Sequence, residues 1–241
     1  MLYIFGDSFS TPDDQKTGIV NRFGLVTYSP LEKNWTSIVS EDLIGTSDHV
    51  NLSVFGCSNE YIFHKLCDRS AYFKSGDCII IQLTSFYREW LFEDKPHMGN
   101  FMTTKFTPGV DISKEVANAL ELYKKYLYSD HRLIIHYNAI IDAITLRTQL
   151  FAKQNIRCLI IPGFHKISGV EGTLFDASNL EFDCQKTATD FYTNTADNRY
   201  NHFSEINHKV LANKVIEFFR DFKTVDLTTD FKTNIFDKEN I

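Results

Sequence analysis

The stretch Met1-Leu2-Tyr3-Ile4-Phe5-Gly6-Asp7-Ser8-Phe9-Ser10 decides the fold, because an apolar run there passes directly into a turn that contains glycine. A run of this kind is too short for a helix and is typical of a buried strand. Three similar apolar runs follow it along the chain: Val50–Val54, Cys78–Leu83 and Arg157–Pro162. Strands that are apolar on both faces indicate a parallel sheet that is covered by helices.

Helical patterns separate these strands, and we expect helices over residues 35–43, 59–66, 113–127, 133–154 and 204–222. In the fourth of them the spacing predicts a buried face formed by Ile134, Ile141, Ile144 and Phe151. Alternation of strands and helices along a chain favours an α/β fold in which the sheet lies between two helical layers. The sequence therefore predicts an open three-layer α/β/α sandwich.

The chain has 241 residues and a formal net charge of −6, with 43% hydrophobic and 23% charged residues. This composition is that of a globular protein and excludes a disordered tail protein or a fibrous repeat. We expect one domain over residues 1–223, with an insertion at about 86–112 that covers the site, and a polar tail over 224–241. Long basic runs are absent, which argues against nucleic acid or an anionic membrane surface as a partner.

The five cysteines are odd in number and contain no C-x-x-C pair, so we expect buried reduced thiols and no metal or redox site. No cofactor is expected. The N-terminus lacks the basic and apolar regions of a signal peptide, and no apolar run approaches the ~18 residues that span a bilayer. The sequence thus predicts synthesis in the cytoplasm and no membrane segment, and it leaves open export as part of a particle. The oligomeric state stays open as well.

Two residues that are far apart in the sequence supply the elements of acyl-transfer chemistry. Ser8 follows the first strand, where the carboxyl edge of a parallel sheet usually forms the site, and Gly6 is expected to allow the tight turn. His202 stands just before the last helix and is expected at the same edge. A serine hydroxyl whose proton is taken by an imidazole is the minimum for nucleophilic catalysis at an ester.

Three sequence blocks carry a resemblance to a known family: Gly6-Asp7-Ser8-Phe9, the segment around Gly56, and His202-x-Ser204-x-x-Asn207-His208-x-x-Leu211-Ala212. In these blocks the chain resembles the SGNH (GDSL-type) hydrolases from the first strand to the last helix. The resemblance implies a flavodoxin-like sandwich with Ser8 as the nucleophile and His202 as the general base. It also implies that the backbone amides of Ser8 and Gly56 stabilise the oxyanion, and that His208 lies on the surface of the last helix.

Two positions depart from the family pattern. Thr84 stands where the family has an oxyanion-binding asparagine, and Arg199 stands where it has an aspartate three residues before the histidine. The hydroxyl of Thr84 is expected to replace the asparagine, while either Asp197 or a backbone carbonyl orients the imidazole. Further contacts to the substrate are expected from Asp7, Asn59 and Arg88, the last two also as compensation for the missing asparagine.

These residues and this resemblance predict hydrolysis of a small-molecule or carbohydrate ester. The favoured reaction is removal of a small acyl group, such as acetate, from a carbohydrate. Three alternatives remain open at this point. The same serine and histidine would serve an O-acyltransferase in which a sugar hydroxyl replaces water. A non-catalytic binding or structural module with the same fold is the second alternative. The third is a flavodoxin-like phosphate or nucleotide binder, although the chain lacks the glycine-rich fingerprint of such proteins.

Overall fold

The computed structural model describes residues 1–7, 10, 34–45, 49–54, 56–84, 88–90, 114–127, 129–161, 205–221 and 230. Within these residues the strands are β1 (Leu2–Phe5), β2 (Val50–Asn51), β3 (Cys78–Gln82) and β4 (Arg157–Ile161). The α-helices are α1 (Trp35–Ile44), α2 (Asn59–Arg69), α3 (Lys114–Tyr126), α4 (Asp130–Ala152) and α5 (Glu205–Asp221). A short 3-10 helix, Ser70–Tyr72, follows α2.

The four described strands form one parallel sheet in the order β2-β1-β3-β4. In this register Phe5 lies opposite Ile81 at the ends of β1 and β3, and the sheet confirms the α/β class. The second strand is shorter than predicted, but its path continues beside β1. The N–H groups of Leu52 and Val54 donate to the carbonyls of Ile4 and Gly6 at 2.8 and 3.0 Å.

Side chains of the strands alternate between two buried clusters, as the two-residue period of a strand requires. One cluster joins the sheet to α1 and α5 and contains Leu2, Ile4, Ile80, Leu159, Trp35, Val39, Leu211, Val215 and Phe219. The other joins the sheet to α2 and α4 and contains Tyr3, Phe5, Ile79, Ile81, Ile160, Ile62, Leu66, Ile141 and Ile144. Burial of these apolar groups in both clusters is the main stabilising contribution to the sheet.

Side-chain caps explain where three of the helices begin. Asn34 accepts from the N–H of Ser37 at 3.0 Å, and Ser58 accepts from that of Tyr61 at 3.3 Å. At the start of α4, Ser129 accepts from the N–H of Arg132 at 3.2 Å. Each cap satisfies an N–H group that has no partner within its own helix.

Helices α1 and α5 lie side by side and run in the same direction. At their first turns Nδ1 of His208 accepts from the N–H of Trp35 at 3.4 Å, and near their last turns Arg220 donates to Asp42 at 2.6 Å. The carbonyl of Phe219, close to the end of α5, accepts at 2.7 Å from Arg157 at the start of β4. The C-terminal end of α5 therefore lies at the amino edge of the sheet, and its N-terminal end is directed toward the carboxyl edge.

Two expectations about helix faces are wrong. His208 is not on the helix surface but fully buried between α5 and α1, where its ring nitrogen receives a hydrogen bond. In α4 the buried face begins with Leu133 rather than Ile134, which is 44% exposed. Leu133 is four residues before Tyr137 and eight before Ile141, so these three lie on one side of the helix, whereas Ile134 is rotated by about 100° from Leu133.

The predicted insertion and tail lie almost entirely outside the described residues, which include Arg88–Trp90 and Asp230 from these regions. None of the helices in the described ranges is both long enough and apolar enough to cross a membrane.

The central strand β3 supplies a test of the sheet. Ile80 is fully buried there, so the substitution Ile80→Ala should lower the free energy of unfolding by about 2–5 kcal/mol through lost burial and a cavity. The matched control is Ile135→Ala on α4, where the isoleucine is 56% exposed and the expected change is within about 0.5 kcal/mol. Urea unfolding of both variants measures the difference, and equal losses would contradict the described sheet.

Candidate functional site

The turns after β1 and β2 are bonded to each other at the carboxyl edge of the sheet. The carbonyl of Gly6 accepts from the N–H of Val54 at 3.0 Å and from the thiol of Cys57 at 3.3 Å. Between these two donors Gly56 has φ of 69°, in the left-handed region where glycine is favoured. The loop that carries Gly56 is therefore held against the segment that leads from β1 into Asp7.

Asp7 is fully buried at this edge, and its carboxylate is bonded to three side chains that follow or end β3. Oδ2 accepts from Nη1 of Arg88 at 2.8 Å and from the hydroxyl of Thr84 at 2.9 Å. Oδ1 accepts from Nε2 of Gln82 at 3.2 Å. The hydroxyl of Ser10 donates to the other amide atom of Gln82. A buried carboxylate is tolerated only with such partners, so this network ties the turn after β1 to the end of β3.

Asn59 connects helix α2 to the backbone of Thr84, just after β3. Its Nδ2 donates to the carbonyl of Thr84 and its Oδ1 accepts from the N–H of Thr84, both at 2.8 Å. The pair of bonds satisfies both backbone groups of Thr84 and places the first residue of α2 beside the end of β3. The backbone of Thr84 is therefore held by α2, while its hydroxyl is held by Asp7.

Gly6 is required by close contacts around the turn and not by its backbone conformation. Its φ is not among the positive values of the described glycines, so the turn itself does not demand glycine. A Cβ atom at this position would instead lie 2.9 Å from Oγ of Ser10 and 3.1 Å from Cβ of Gln82. The close approach of Ser10 in the same turn and of Gln82 at the end of β3, rather than backbone conformation, excludes a larger residue.

The structure brings together five of the predicted site residues at one edge: Asp7, Gly56, Asn59, Thr84 and Arg88. Ser8, Asp197 and His202 lie outside the described residues, so their roles stay predictions. The hydroxyl hydrogen of Thr84 is donated to Asp7, and the side-chain amide of Asn59 is bonded to the backbone. In this arrangement both side chains act in positioning.

Gln82 is a member of the site that the sequence reasoning missed. The sequence contains a signal for this residue, because Gln82 is the polar last position of the otherwise apolar strand β3. The structure shows that its side chain is buried. A buried amide side chain at the carboxyl end of a central strand needs polar partners, which Asp7 and Ser10 supply.

The four described cysteines are free; Cys57 and Cys78 are buried as predicted, whereas Cys67 and Cys158 are only half-buried. Burial, followed by the nearby charge of Asp7, raises the pKa of the Cys57 thiol well above its ordinary range. Burial likewise raises the pKa of Cys158 to about 12. Such thiols remain protonated at neutral pH and are poor nucleophiles. Among the described residues no group of three or more His, Cys, Asp and Glu side chains is arranged to hold a metal ion.

Comparison with known proteins assigns no family. No family model matches the chain, and no curated protein matches it significantly. A solved structure of the protein YXIM from Bacillus subtilis aligns with 93% of this chain at 10% sequence identity and a TM-score of 0.33. The chain spans 50% of the length of that structure. A similarity of this size assigns neither a fold nor a function.

The buried pair of Asp7 and Arg88 provides a test of the site. We expect Asp7→Asn to lower the free energy of unfolding by about 3–5 kcal/mol, because the change leaves the half-buried guanidinium without its counter-charge. The double variant Asp7→Asn/Arg88→Gln should lose clearly less than the sum of the two single variants. The control is Asp42→Asn, which breaks the surface pair with Arg220 and should cost no more than about 1 kcal/mol. Additive losses at Asp7 and Arg88 in urea unfolding would refute the coupling.

The raised pKa of Cys57 predicts a pH dependence of stability. An unfolded thiol ionises near pH ~8.5 whereas the folded one keeps its proton, so the unfolded state binds fewer protons and the free energy of unfolding falls from about pH 8 to pH 10. In Cys57→Ala this decline should be shallower by up to about 1.4 kcal/mol per pH unit. Leu66→Ala, a buried change without a titrating group, should keep the wild-type slope in urea unfolding. Parallel slopes for wild type and Cys57→Ala would show that the thiol ionises in the folded protein.

Proposed function

We propose that the chain is a serine ester hydrolase of the SGNH (GDSL) type that removes a small acyl group, such as acetate, from a carbohydrate. The proposal includes the finer fold, a flavodoxin-like three-layer α/β/α sandwich. Two observations support that fold: the all-parallel sheet and the two buried clusters that join it to α1 and α5 in one case and to α2 and α4 in the other.

The observation that carries the functional proposal is the bonding of two turns at the carboxyl edge. Ser8 follows Asp7 directly in the sequence, and Asp7 is anchored to the end of β3. The carbonyl of Gly6 is bonded to the loop that carries Gly56. A nucleophile next to Asp7 and an amide donor at Gly56 are the two groups that an acyl-transfer site needs at short range.

The direction of α5 supports the role of His202. This residue precedes the first residue of α5, Glu205, by three positions. Because the C-terminal end of α5 contacts the start of β4 through Phe219 and Arg157, its N-terminal end is directed toward the edge at which β1 ends. This direction of α5 supports the proposal that the histidine before the helix acts at the edge where β1 ends.

In the proposed reaction Oγ of Ser8 attacks the ester carbonyl carbon, and His202 takes the hydroxyl proton. The amides of Ser8 and Gly56 donate to the oxyanion, a contribution of about 3–4 kcal/mol for each donor. The bond to the leaving alcohol then breaks, and the alcohol oxygen receives the proton from His202. A water molecule, deprotonated by the same imidazole, attacks the acyl-enzyme and releases the acid and the free serine. Asp197 or a backbone carbonyl orients the imidazole.

A non-catalytic binding module is the second candidate, and one observation favours it. The position of the family's oxyanion asparagine is taken by Thr84, whose hydroxyl hydrogen is donated to Asp7 rather than held for a substrate. An oxyanion site with only backbone donors is weaker, so turnover would be slower than in a site with a third donor. The same serine and histidine would also serve an acyltransferase, which differs only in the acceptor of the acyl group.

The decisive variant is Ser8→Ala. We expect it to reduce hydrolysis of p-nitrophenyl acetate by about 10³-fold or more and to abolish labelling by a fluorophosphonate probe, because the nucleophile is removed. His202→Gln should reduce hydrolysis to a similar extent, since the two groups act as one unit. Circular dichroism and the unfolding midpoint establish that each variant is folded.

The control is Ser75→Ala, in the exposed turn before β3, which should leave labelling and hydrolysis unchanged. Undiminished labelling of the Ser8→Ala variant would refute the assignment of the nucleophile. A wild-type protein that is folded but neither labelled nor active would establish the binding module instead. Addition of acceptor sugars to the assay separates a transferase, which forms a new ester, from a hydrolase.

A further inference from the structure

The short segment 88–90 connects the Asp7 network to helix α2. Its first residue, Arg88, donates from Nη1 to Oδ2 of Asp7 at 2.8 Å, and the arginine side chain is only 15% exposed. Two residues later the ring of Trp90 packs on α2, with its centre 5.3 Å from that of the Tyr61 ring and nearly perpendicular to it. The segment therefore joins a fully buried carboxylate to the outer side of a helix.

The first two residues of α2 hold the chain on either side of Arg88. Asn59 binds both backbone groups of Thr84, and Oε2 of Glu60 accepts from the backbone N–H of Trp90 at 2.6 Å. The other oxygen of Glu60, Oε1, accepts from Nε2 of His136 on α4 at 2.7 Å. Because both oxygens of this carboxylate are bonded, the acceptor that Glu60 offers to the segment has a defined orientation.

Glu89, in the middle of the segment, is half-buried and bonded to helix α3. Both of its carboxylate oxygens accept from the hydroxyl of Tyr123, at 3.0 and 3.1 Å. Burial raises the pKa of Glu89, and the negative charge of Glu60 raises it further. The bond from Tyr123 and the neighbouring His136 and Arg132 on α4 lower it. The segment is thus held by side chains of three helices, although burial and like charge oppose the placement of a second carboxylate beside Glu60.

The position of the Arg88 guanidinium depends on where its backbone is held. An arginine side chain has several rotatable bonds, so a bond at its tip orders the side chain only at a cost in conformational entropy. This cost is smaller when the backbone is already fixed. Release of the segment at Trp90 would leave Arg88 on a stretch held only at Thr84, and the buried carboxylate of Asp7 would lose its counter-charge more often.

We propose that Glu60 is a positioning residue, which holds the segment 88–90 on α2 and thereby keeps the guanidinium of Arg88 on Asp7. This role follows from the contacts of the described residues and does not require catalysis. Its consequence for turnover rests on the proposed function, in which the residue directly after Asp7, Ser8, is the nucleophile.

The exchange of the Arg88 guanidinium protons with water, measured by nitrogen-15 NMR on the whole chain, tests the proposal. In Glu60→Ala this exchange should be about tenfold or more faster than in wild type, because the segment is released from α2. In Glu60→Gln it should stay within about twofold of wild type, since the amide oxygen still accepts from the N–H of Trp90. Circular dichroism and the unfolding midpoint establish that both variants are folded.

The matched control is Asp42→Ala. Asp42 is 33% exposed and pairs across two helices with Arg220, as Glu60 is 27% exposed and pairs across two helices with His136. Exchange at Arg88 should be the same in this variant as in wild type. Unchanged exchange in Glu60→Ala would overturn the proposal. Exchange as fast in Glu60→Gln as in Glu60→Ala would also overturn it, because the charge and not the bonded acceptor would then be responsible.

A second measurement uses wild-type protein alone and decides the proposal if Glu60→Ala fails to fold. In low concentrations of urea the backbone amide of Trp90 and the guanidinium protons of Arg88 should lose protection with the same dependence on urea, because one local opening releases both. Different dependences would show that the two ends of the segment open independently and would overturn the proposal.

Hydrolysis of p-nitrophenyl acetate separates this proposal from the proposed function. With an active wild type, Glu60→Ala should lower kcat about tenfold and change KM by less than about threefold, because the anchor of the nucleophile is loosened while the substrate contacts remain. Glu60→Gln should retain about half of kcat or more. Unchanged kcat in Glu60→Ala would overturn the positioning role in catalysis. An inactive but folded wild type would refute hydrolysis at Ser8, and the exchange at Arg88 would then decide the role of Glu60 by itself.

Discussion

The buried carboxylate of Asp7 is the constraint on which the carboxyl edge of the sheet depends. A lone charge in this position would destabilise the fold by several kcal/mol, so the chain must supply partners for it. The partners come from Gln82, Thr84 and Arg88, at the end of the neighbouring strand and just beyond it. The segment after β1 and the segment after β3 therefore occupy one defined arrangement. Asp7 itself is therefore the anchored end of the turn that follows β1.

Strand positions were predictable because a strand that is covered on both faces has to be apolar throughout. β1 has the predicted bounds, and β3 and β4 each end one residue earlier than predicted. The sequence also predicted, in outline, that the segments containing Asp7 and Thr84 lie at the same edge of the sheet. Two parallel neighbours that pair Phe5 with Ile81 necessarily end at the same edge.

The errors share a physical cause, which is that local patterns do not determine contacts between distant segments. The interior place of His208 depends on helix α1, more than 170 residues earlier in the chain, whose first N–H group donates to its ring. At position 6, Ser10 in the same turn leaves little room for a side chain, and the further approach of Gln82 from the distant end of β3 is a contact that no local turn signal records. In α4 the sequence offers apolar residues at both 133 and 134, and only the orientation in which the helix packs selects Leu133 for the interior.

The segment after β2 holds the loop of Gly56 against the end of β1. Leu52 and Val54 donate inward to β1 and hold the turn of Gly6, while the N–H of Ser53, between them, is turned to the side chain of Asn51. Alternation of this kind is inherent in an extended backbone, so one short stretch can have its inner groups in the sheet and its outer group bonded to a neighbouring side chain. β2 is an edge strand of the described sheet, and its outer side has no further described strand to pair with. The path of this segment toward Gly56 is therefore fixed from one side, by the bonds that its inner N–H groups donate to Ile4 and Gly6.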